Sequence, residues 1–240
     1  MKRLANAVGS RYLSFQNPRV VSPPGRVASN GARNIMVATP MRSGTHLMID
    51  AILNNIPAYC RTPLYVDLDQ FYKQGERSDA DFGDLGPTSG YLLKTHFPLG
   101  FPRPSDHAAK VAELARGALV ITVERRPEDV KASLLRWAGN DAGSAALDGY
   151  IAGIDANLDA FWSIWRDRSD IALNFEELFD PSCMTKVVAQ VARDLGVSAC
   201  ARYHPMPPKR QMNRIYLQKG LTRLLGRHAP RINTTIYVAG

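Results

Sequence analysis

Three short segments of the chain carry side chains that suit the binding of an anion such as phosphate and the transfer of a proton. The first, residues 40–46 (PMRSGTH), combines an arginine, hydroxyls and a glycine between an apolar run and a helical pattern. A helix start directs unpaired backbone N–H groups and a positive dipole end at the preceding loop, so this loop is predicted to bind an anion. An ordinary strand-to-helix turn is the alternative, because the loop lacks the second glycine and the Lys-Ser/Thr pair of general nucleotide loops.

The second segment is Lys94-Thr95-His96, at the end of a short apolar run and two residues before Pro98. The period-two alternation of a strand places Lys94 and His96 on the same side. An imidazole with a pKa of about 6.5 accepts protons at neutral pH, so His96 is a candidate general base. A surface or hydrogen-bonded structural histidine is the alternative.

The third segment spans residues 125–133 and opens a helical pattern with a proline and two acidic residues, which favour a first helical turn. Arg125 lies just before this helix and Ser133 two turns into it. A guanidinium and a hydroxyl placed in this way could bind one phosphate together. The alternative is a structural ion pair for Arg125 and an exposed Ser133 without a role.

Strand and helix patterns alternate along the chain and determine where these segments meet. Strands are predicted at 35–38, 91–95, 118–123 and 171–175, and helices at 47–53, 105–117, 127–137, 147–165 and 187–195. This alternation without hairpin signals predicts an α/β fold: a single domain with a central parallel sheet flanked by helices, in a three-layer α/β/α arrangement like that of P-loop NTPases. Because ligands bind beyond the carboxyl ends of such strands, the three segments are expected to converge there.

Composition and charge place the rest of the chain. With 240 residues, 45% hydrophobic and 22% charged, one substantial core is expected. Residues 1–49 carry 7 of the 30 basic residues and none of the 22 acidic ones, so most of the net charge of +8 lies at the N-terminus. Residues 1–33 are therefore predicted as a mobile basic tail and residues 34–240 as the folded domain.

Three explanations of this tail remain open: a solvated extension, a patch that weakly contacts anionic membrane surfaces, and an organelle transit segment. The sequence has neither a secretory signal nor an apolar run long enough to span a membrane, so a cytoplasmic location is expected, with organelle targeting as the alternative. The cysteines follow no paired or metal-ligand spacing, so free thiols are expected at Cys60, Cys183 and Cys200.

Together, and in this order, the segments resemble the sulfotransferases that use 3′-phosphoadenylyl sulfate (PAPS). Residues 40–46 are similar to the family's loop around the donor's 5′-phosphate, residues 94–98 to its Lys-Thr-His segment, and residues 125–133 to its 3′-phosphate site. Residues 174–181 (NFEELFDP) are similar to its later strand-and-turn signature. Gln218-Lys219-Gly220 partly resembles the Arg-Lys-Gly segment that closes over the 3′-phosphate.

The resemblance implies transfer of a sulfuryl group from PAPS to a hydroxyl or amine of a small-molecule, carbohydrate or lipid acceptor, with adenosine 3′,5′-bisphosphate (PAP) as product and no metal. It implies His96 as general base, Arg42 at the leaving group and Lys94 at the sulfuryl oxygens. The donor-binding residues that it implies are Arg42, Ser43, Gly44, Thr45, His46, Arg125, Ser133, Lys219 and Gly220. The acceptor is expected against loop 138–143 and against the aromatic residues of the irregular stretch 57–90, namely Tyr59, Tyr65, Phe71, Tyr72 and Phe82.

The chain also departs from the family's pattern. Arg42 stands where a lysine is frequent, Leu47 where an aromatic residue often lies near the adenine, and Phe175 where a tyrosine can bond the base. The glycine-aspartate-tryptophan sequence that usually follows the Arg-Lys-Gly segment is missing. Adenine recognition is therefore expected to differ from the family's, with Tyr203 as a possible stacking partner.

Two other classes stay open. A nucleotide or small-molecule kinase with a degenerate loop would need magnesium and a carboxylate, for which Asp50 is the nearby candidate. A non-enzymatic binder of nucleic acid or an anionic surface would act through the basic tail. Because the body of the chain is nearly neutral, no nucleic-acid partner is expected for it.

Overall fold

A five-stranded parallel sheet forms the centre of the computed structural model, which describes residues 31–59, 65–69, 85–98, 107–138, 145–205 and 224–225. Its strands are β1 (Ile35–Ala38), β2 (Val66–Asp67), β3 (Leu92–Thr95), β4 (Leu119–Glu124) and β5 (Ile171–Asn174), in the order β2-β3-β1-β4-β5. Ala38 of β1 lies opposite Thr95 of β3 and Thr122 of β4. The carboxyl ends of these three strands therefore meet at one edge of the sheet, as the sequence predicts.

Helices cover both faces of the sheet. They are α1 (Thr45–Asn55), α2 (His107–Gly117), α3 (Pro127–Ala138), α4 (Ala145–Ala152), α5 (Ile154–Trp165) and α6 (Pro181–Leu195). Short 3₁₀ helices span Pro57–Tyr59, Arg166–Arg168 and Phe175–Phe179. One core lies between the sheet and the helices α1 and α6, and a second lies between the sheet and the helices α2 to α5. This arrangement confirms the predicted three-layer α/β/α fold.

The alternation of side chains along β4 explains the two cores. Ile121 and Val123 point into the core under α1 and α6, whereas Val120 points into the core under α2 to α5. A parallel strand covered on both faces buries apolar side chains on each side, which is why this run reads as continuously apolar. Only the last residue of the strand, Glu124, is exposed, where the strand reaches the edge of the sheet.

The predicted long helix over 147–165 is in fact two helices. Helix α4 ends at Ala152 and α5 begins at Ile154, with Gly153 between them. Gly149 and Gly153 are poor helix formers, so the apolar periodicity continues while the backbone breaks. The break is bridged by the Asn157 side chain, whose amide donates to the Tyr150 carbonyl at 3.1 Å.

Two further elements differ from expectation. Part of the stretch 57–90, predicted as irregular, forms a 3₁₀ helix and the edge strand β2, which was too short to give a periodic signal. Arg33, the last residue of the predicted tail, donates to the carbonyls of Gly117 and Ala118, at 3.1 and 2.8 Å. Arg33 therefore contacts the folded domain. Residues 1–30 lie outside the described residues, and the mobile tail stays a prediction. None of the described helices combines the length and apolar character that a membrane crossing needs.

Candidate active site

The loop between β1 and α1 has an unusual backbone. Arg42 and Gly44 both adopt left-handed conformations, with φ of 67° and 89°, whereas Ser43 between them does not. Alternation of this kind is typical of concave loops that bind anions through backbone N–H groups, although here the Ser43 N–H donates to the Pro40 carbonyl at 3.3 Å. A non-glycine residue with positive φ is strained, and such strain concentrates at functional sites.

The N-terminus of α1 continues this surface. Gly44 is the N-cap of the helix, and its carbonyl accepts the Met48 N–H at 3.1 Å. A glycine N-cap has no side chain to accept from the first turn, whose backbone N–H groups point with the positive dipole end toward the loop. The Thr39 and Thr45 hydroxyls lie 2.5 Å apart and close the base of the loop.

Ser43 adds a polar group that the fold does not use. Ser43 is fully buried, and its hydroxyl oxygen has no hydrogen-bond partner among the described residues. Leaving a hydroxyl unpaired in a protein interior is costly, and such exceptions usually mark a ligand or solvent position. The donor set of the loop therefore fits a phosphate group: backbone N–H groups, a helix N-terminus and an available hydroxyl.

Gly44 is required by packing as well as by backbone conformation. A Cβ at this position would lie 2.5 Å from Leu178 Cδ1 and 3.1 Å from Phe175 Cδ2. Both side chains belong to the 3₁₀ helix Phe175–Phe179, which follows β5. The segment that the sequence matched to a later family signature thus packs directly on the loop.

A cationic cluster lies on the β4 side of the loop. The Arg42 Nε donates to Ser133 Oγ at 3.1 Å, and Arg125 Nη1 donates to the Arg42 carbonyl at 2.7 Å. The Arg125 guanidinium lies over the Phe175 ring, 3.9 Å from its centroid. Arg42, Arg125 and Ser133, which are far apart in sequence, therefore form one group.

The electrostatics of this cluster favour an anion. Burial lowers the pKa of Arg125, Asp129 and Glu176 oppose that shift, and Arg136 and Arg42 add to it. The buried Nε of Arg125 has no acceptor among the described residues. The Arg42 side chain joins this group through Ser133. The place at the 5′ leaving group that the resemblance implies for Arg42 stays a prediction.

His96 follows β3 and reaches across to β1. Its Nδ1 lies 2.7 Å from the Thr39 carbonyl oxygen, and Thr39 directly precedes loop 40–46. Since a carbonyl only accepts hydrogen bonds, Nδ1 carries the proton and Nε2 keeps its lone pair. Burial lowers the pKa of His96 well below 6.5, and Lys94 lowers it further, while the bond to Thr39 and the carboxylate of Asp67 oppose the shift. The imidazole is therefore a neutral base at neutral pH.

Lys94 is paired with a carboxylate that the sequence analysis did not identify. Its Nζ lies 2.7 Å from Asp67 Oδ2, and both side chains are buried. Asp69, two residues later, accepts the His96 backbone N–H at 2.6 Å and the Thr95 hydroxyl at 3.2 Å. Val66, Asp67, Leu68 and Asp69 alternate apolar and acidic side chains, but four residues inside the stretch predicted as irregular are too few to predict a strand.

The remaining predicted site residues have other positions. His46 Nε2 lies 3.1 Å from the Tyr65 hydroxyl. Tyr59 and Tyr65, expected to line an acceptor site, are instead buried in the core under α1 and α6. The Tyr59 hydroxyl donates to the Arg33 carbonyl, and the Tyr65 hydroxyl is the partner of His46. Tyr203 packs at the edge of the same core. The predicted residues outside the described part of the chain are Phe71, Tyr72, Phe82, most of loop 138–143, Lys219 and Gly220.

In the part of the chain that the structure describes, no group of histidine, cysteine or carboxylate side chains has the arrangement of a metal site. Asp50, the carboxylate considered for a kinase, is buried in α1 with 1% of its surface exposed.

No family model matches the sequence, and no curated protein matches it. Among solved structures, the chain is similar to retinol dehydratase in complex with retinol and PAP, at 16% identity and a TM-score of 0.40, over 92% of this chain and 88% of that one. It is also similar to retinol dehydratase with androsterone and inactive cofactor PAP, at 14% identity and a TM-score of 0.38, over 94% and 88% of the two chains. Shikimate kinase from Bacteroides thetaiotaomicron matches at 16% identity and a TM-score of 0.37, over 69% and 99%.

Proposed function

We propose that this chain is a sulfotransferase that transfers a sulfuryl group from PAPS to a hydroxyl, or an amine, of a small-molecule, carbohydrate or lipid acceptor. The observation that supports the proposal most is the bond between His96 Nδ1 and the Thr39 carbonyl. It joins a neutral imidazole to the residue that precedes an anion-binding loop, so a base and a phosphate site share one edge of the sheet.

The donor's two phosphates would be held by different groups. The 5′-phosphate would bind the backbone N–H groups of loop 40–46 and of the α1 N-terminus, with the Ser43 hydroxyl as a further partner. The 3′-phosphate would bind Arg125, Arg42 and Ser133, since guanidinium groups bind phosphate through paired, charge-assisted hydrogen bonds. Phe175 contacts Arg125 and lies against Gly44, so it would supply an apolar surface between the two.

In the proposed reaction, the acceptor oxygen attacks the sulfur as the bond between the sulfur and the bridging phosphate oxygen breaks. His96 Nε2 accepts the acceptor's proton, while the Nδ1–H bond to Thr39 holds the tautomer. The loop N–H groups and the helix dipole stabilise the charge that develops on the leaving 5′-phosphate. An ammonium has three N–H donors, so Lys94 can bond Asp67 and still contact the sulfuryl oxygens. Positioning and electrostatics supply most of the rate enhancement, by analogy with phosphoryl transfer.

Calorimetry tests the donor half of the proposal. The full chain is titrated with PAP, with adenosine 5′-monophosphate, and with ATP plus magnesium. We expect PAP to bind most tightly, because only PAP fills both phosphate sites. Magnesium-dependent binding of ATP with no binding of PAP would contradict the proposal and favour the kinase alternative.

A mass-spectrometric screen tests the transfer itself. The chain is incubated with PAPS and pools of alcohols, phenols, amines, sugars and lipids, and the products are searched for the mass gain of one SO₃ group. His96→Gln protein serves as the control for uncatalysed transfer. Failure of every pool to gain SO₃ above this control, together with failure to bind PAP, would overturn the proposal.

The two other classes predict different behaviour. A kinase needs carboxylates for magnesium, but Asp67 is paired with Lys94, and Asp69 accepts from Thr95 and His96. A non-enzymatic binder would act through the basic N-terminus. A variant that lacks residues 1–30 keeps Arg33 and its bonds, so under our proposal it binds PAP as the full chain does.

A further inference from the structure

Two carboxylates at the end of β2 contact every residue of the Lys94-Thr95-His96 segment. Asp67 pairs with the Lys94 ammonium, and Asp69 accepts from the Thr95 hydroxyl and from the His96 backbone N–H. Asp67 and Asp69 are 2% and 7% exposed. Aspartate is seldom buried to this extent without compensating partners, so these bonds account for the burial of both carboxylates.

The bonds of Asp69 act on the backbone that carries the imidazole. The 2.6 Å bond to the His96 N–H fixes the peptide before the His96 Cα. On the other side, the Phe97 N–H donates to Thr95 Oγ1 at 3.0 Å, and the Phe97 carbonyl accepts the Trp165 indole N–H at 2.6 Å. The position of His96 is therefore set from both sides, and Asp69 contacts both Thr95 and His96.

The position of the His96 backbone matters because the His96 imidazole makes a short, directional hydrogen bond to the Thr39 carbonyl. The 2.7 Å contact between Nδ1 and the Thr39 carbonyl crosses from β3 to β1 and selects the tautomer that leaves Nε2 as acceptor. A displacement of the His96 peptide would lengthen this contact and release the selection. Misplacement of a catalytic group by about 1 Å can lower a rate by about 10²-fold.

We propose that Asp69 is a positioning residue for His96: by holding the His96 amide and the Thr95 hydroxyl, it keeps the imidazole Nδ1–H on the Thr39 carbonyl and Nε2 available as the base. The inference rests on the proposed function for the reaction that it serves, but the ring geometry that it predicts is measurable without substrate. Asp67 acts separately, as the counter-charge of Lys94.

The test compares Asp69→Asn with a matched variant, Asp170→Asn. Asp170 Oδ2 also accepts a backbone N–H of a neighbouring strand, that of Val120 at 2.7 Å, but it lies at the amino end of β5, away from the site. Long-range ¹H–¹⁵N spectra of the imidazoles report the tautomer of His96, which is assigned by its loss in His96→Gln. Wild type and Asp170→Asn should show the Nδ1–H tautomer. Asp69→Asn should show a mixed population.

Kinetics and binding separate positioning from general damage. With an acceptor from the mass screen, Asp69→Asn should lower kcat by about 10²-fold with an unchanged KM for PAPS. Calorimetric affinity for PAP should also be unchanged, because Asp69 contacts neither anion-binding group. A loss of PAP affinity equal to the loss of kcat would overturn the inference in favour of a purely structural role.

Folding and function failures remain distinguishable. If Asp69→Asn loses cooperative thermal unfolding, Thr95→Val replaces it, since it removes one of the bonds to Asp69 and should shift the tautomer population in the same direction by less. If Asp69→Asn folds and its His96 tautomer population equals that of the wild type, the inference is overturned. If Thr95→Val is used in its place, the same result in that variant overturns the inference. Absence of PAP binding and sulfuryl transfer in the wild type would overturn the proposed function, whereas the tautomer comparison would still decide the role of Asp69.

Discussion

The His96 Nδ1 lies 2.7 Å from the carbonyl oxygen of Thr39, the residue between the end of β1 and loop 40–46. This contact makes the position of the imidazole depend on the same backbone that shapes the loop. It also fixes the proton on Nδ1, so that the other nitrogen is the one able to accept.

Replacement of His96 by glutamine should remove the base without removing donor binding. We expect kcat to fall by about 10² to 10⁴-fold, which is the usual contribution of a general base, and calorimetric affinity for PAP to stay unchanged. His204→Gln is the matched control, because this half-buried histidine lies after α6 near the end of α1. Near-normal turnover in His96→Gln would exclude His96 as the base.

The pH dependence of kcat/KM for the acceptor should reflect the low pKa of His96 in the ligand-free protein. Burial first, and then the charge of Lys94, lower this pKa well below 6.5, with His46 adding to the shift and Asp67 opposing it. Because a base must be unprotonated to act, activity should persist below pH 6.5 and fall only as pH approaches the folded-state pKa. An acid limb with its midpoint at or above pH 6.5 would contradict this assignment.

The same shift has a consequence for stability. In the unfolded chain His96 titrates at about 6.5, above its folded-state pKa, so between these values the unfolded state binds more protons. The free energy of unfolding should therefore decrease as pH falls below about 6.5. Denaturant titrations should show a shallower decrease in His96→Gln than in the wild type.

Arg125 should determine the preference for a second phosphate. Arg125→Ala removes a charge-assisted contact worth about 1.5–3 kcal/mol, so the ratio of affinities for PAP and adenosine 5′-monophosphate should fall by about 10 to 150-fold. Arg193→Ala, an exposed arginine in the last turn of α6, should leave the ratio unchanged. Equal weakening of both nucleotides by Arg125→Ala would show that Arg125 does not read the 3′-phosphate.

Gly44→Ala should destabilise the protein for two separable reasons. The left-handed backbone costs about 1–2 kcal/mol for an alanine, and the close approach of Leu178 and Phe175 adds about 1–3 kcal/mol of overpacking. Gly196→Ala carries only the first cost, because Gly196 has φ of 65° and no atom within 4 Å of an added Cβ. Equal losses in the two variants, measured by denaturant unfolding, would exclude the packing contribution.

Removal of one partner of the buried ion pair between Lys94 and Asp67 should lower the free energy of unfolding. Lys94→Met leaves a buried carboxylate without its counter-charge, and we expect a loss of about 3–5 kcal/mol in the free energy of unfolding. The exposed pair of Lys110 and Glu113, 3.2 Å apart, is the control, and Lys110→Met should cost less than about 1 kcal/mol. The double variant Lys94→Met/Asp67→Asn should recover part of the loss.

The sequence predicts the layered fold and the meeting of the three segments at the strand ends, because both depend on local patterns. The continuous apolar run of β4 requires burial on two faces. The glycine and hydroxyls of loop 40–46 indicate the N-terminus of a helix. Strand ends then determine which side chains meet. The tertiary cluster of Arg42, Arg125 and Ser133 follows from this rule, although the bond from Arg42 to Ser133 does not.

Other features depend on tertiary contacts that leave no periodic signal. Strand β2 consists of Val66 and Asp67 alone. The sequence therefore did not identify the carboxylates that contact the Lys94-Thr95-His96 segment. In the sequence, Tyr59 and Tyr65 resemble residues that line a ligand site. In the structure both pack in the core under α1 and α6, and their hydroxyls contact the Arg33 carbonyl and His46. The break at Gly153 shows the converse, since apolar spacing persists across a backbone interruption.

The strand order has a consequence for how variants of this protein can be designed. β2 and β3 lie on one side of β1 and carry the imidazole with its two aspartates, whereas β4 and β5 lie on the other side and carry Arg125 and Phe175. The proposed base with its aspartates and the proposed 3′-phosphate contact Arg125 therefore lie on opposite sides of β1. Thr39 follows β1 and lies between the two sides. Substitutions on one side should therefore leave the structure of the other side unchanged, as long as the Thr39 carbonyl keeps its position.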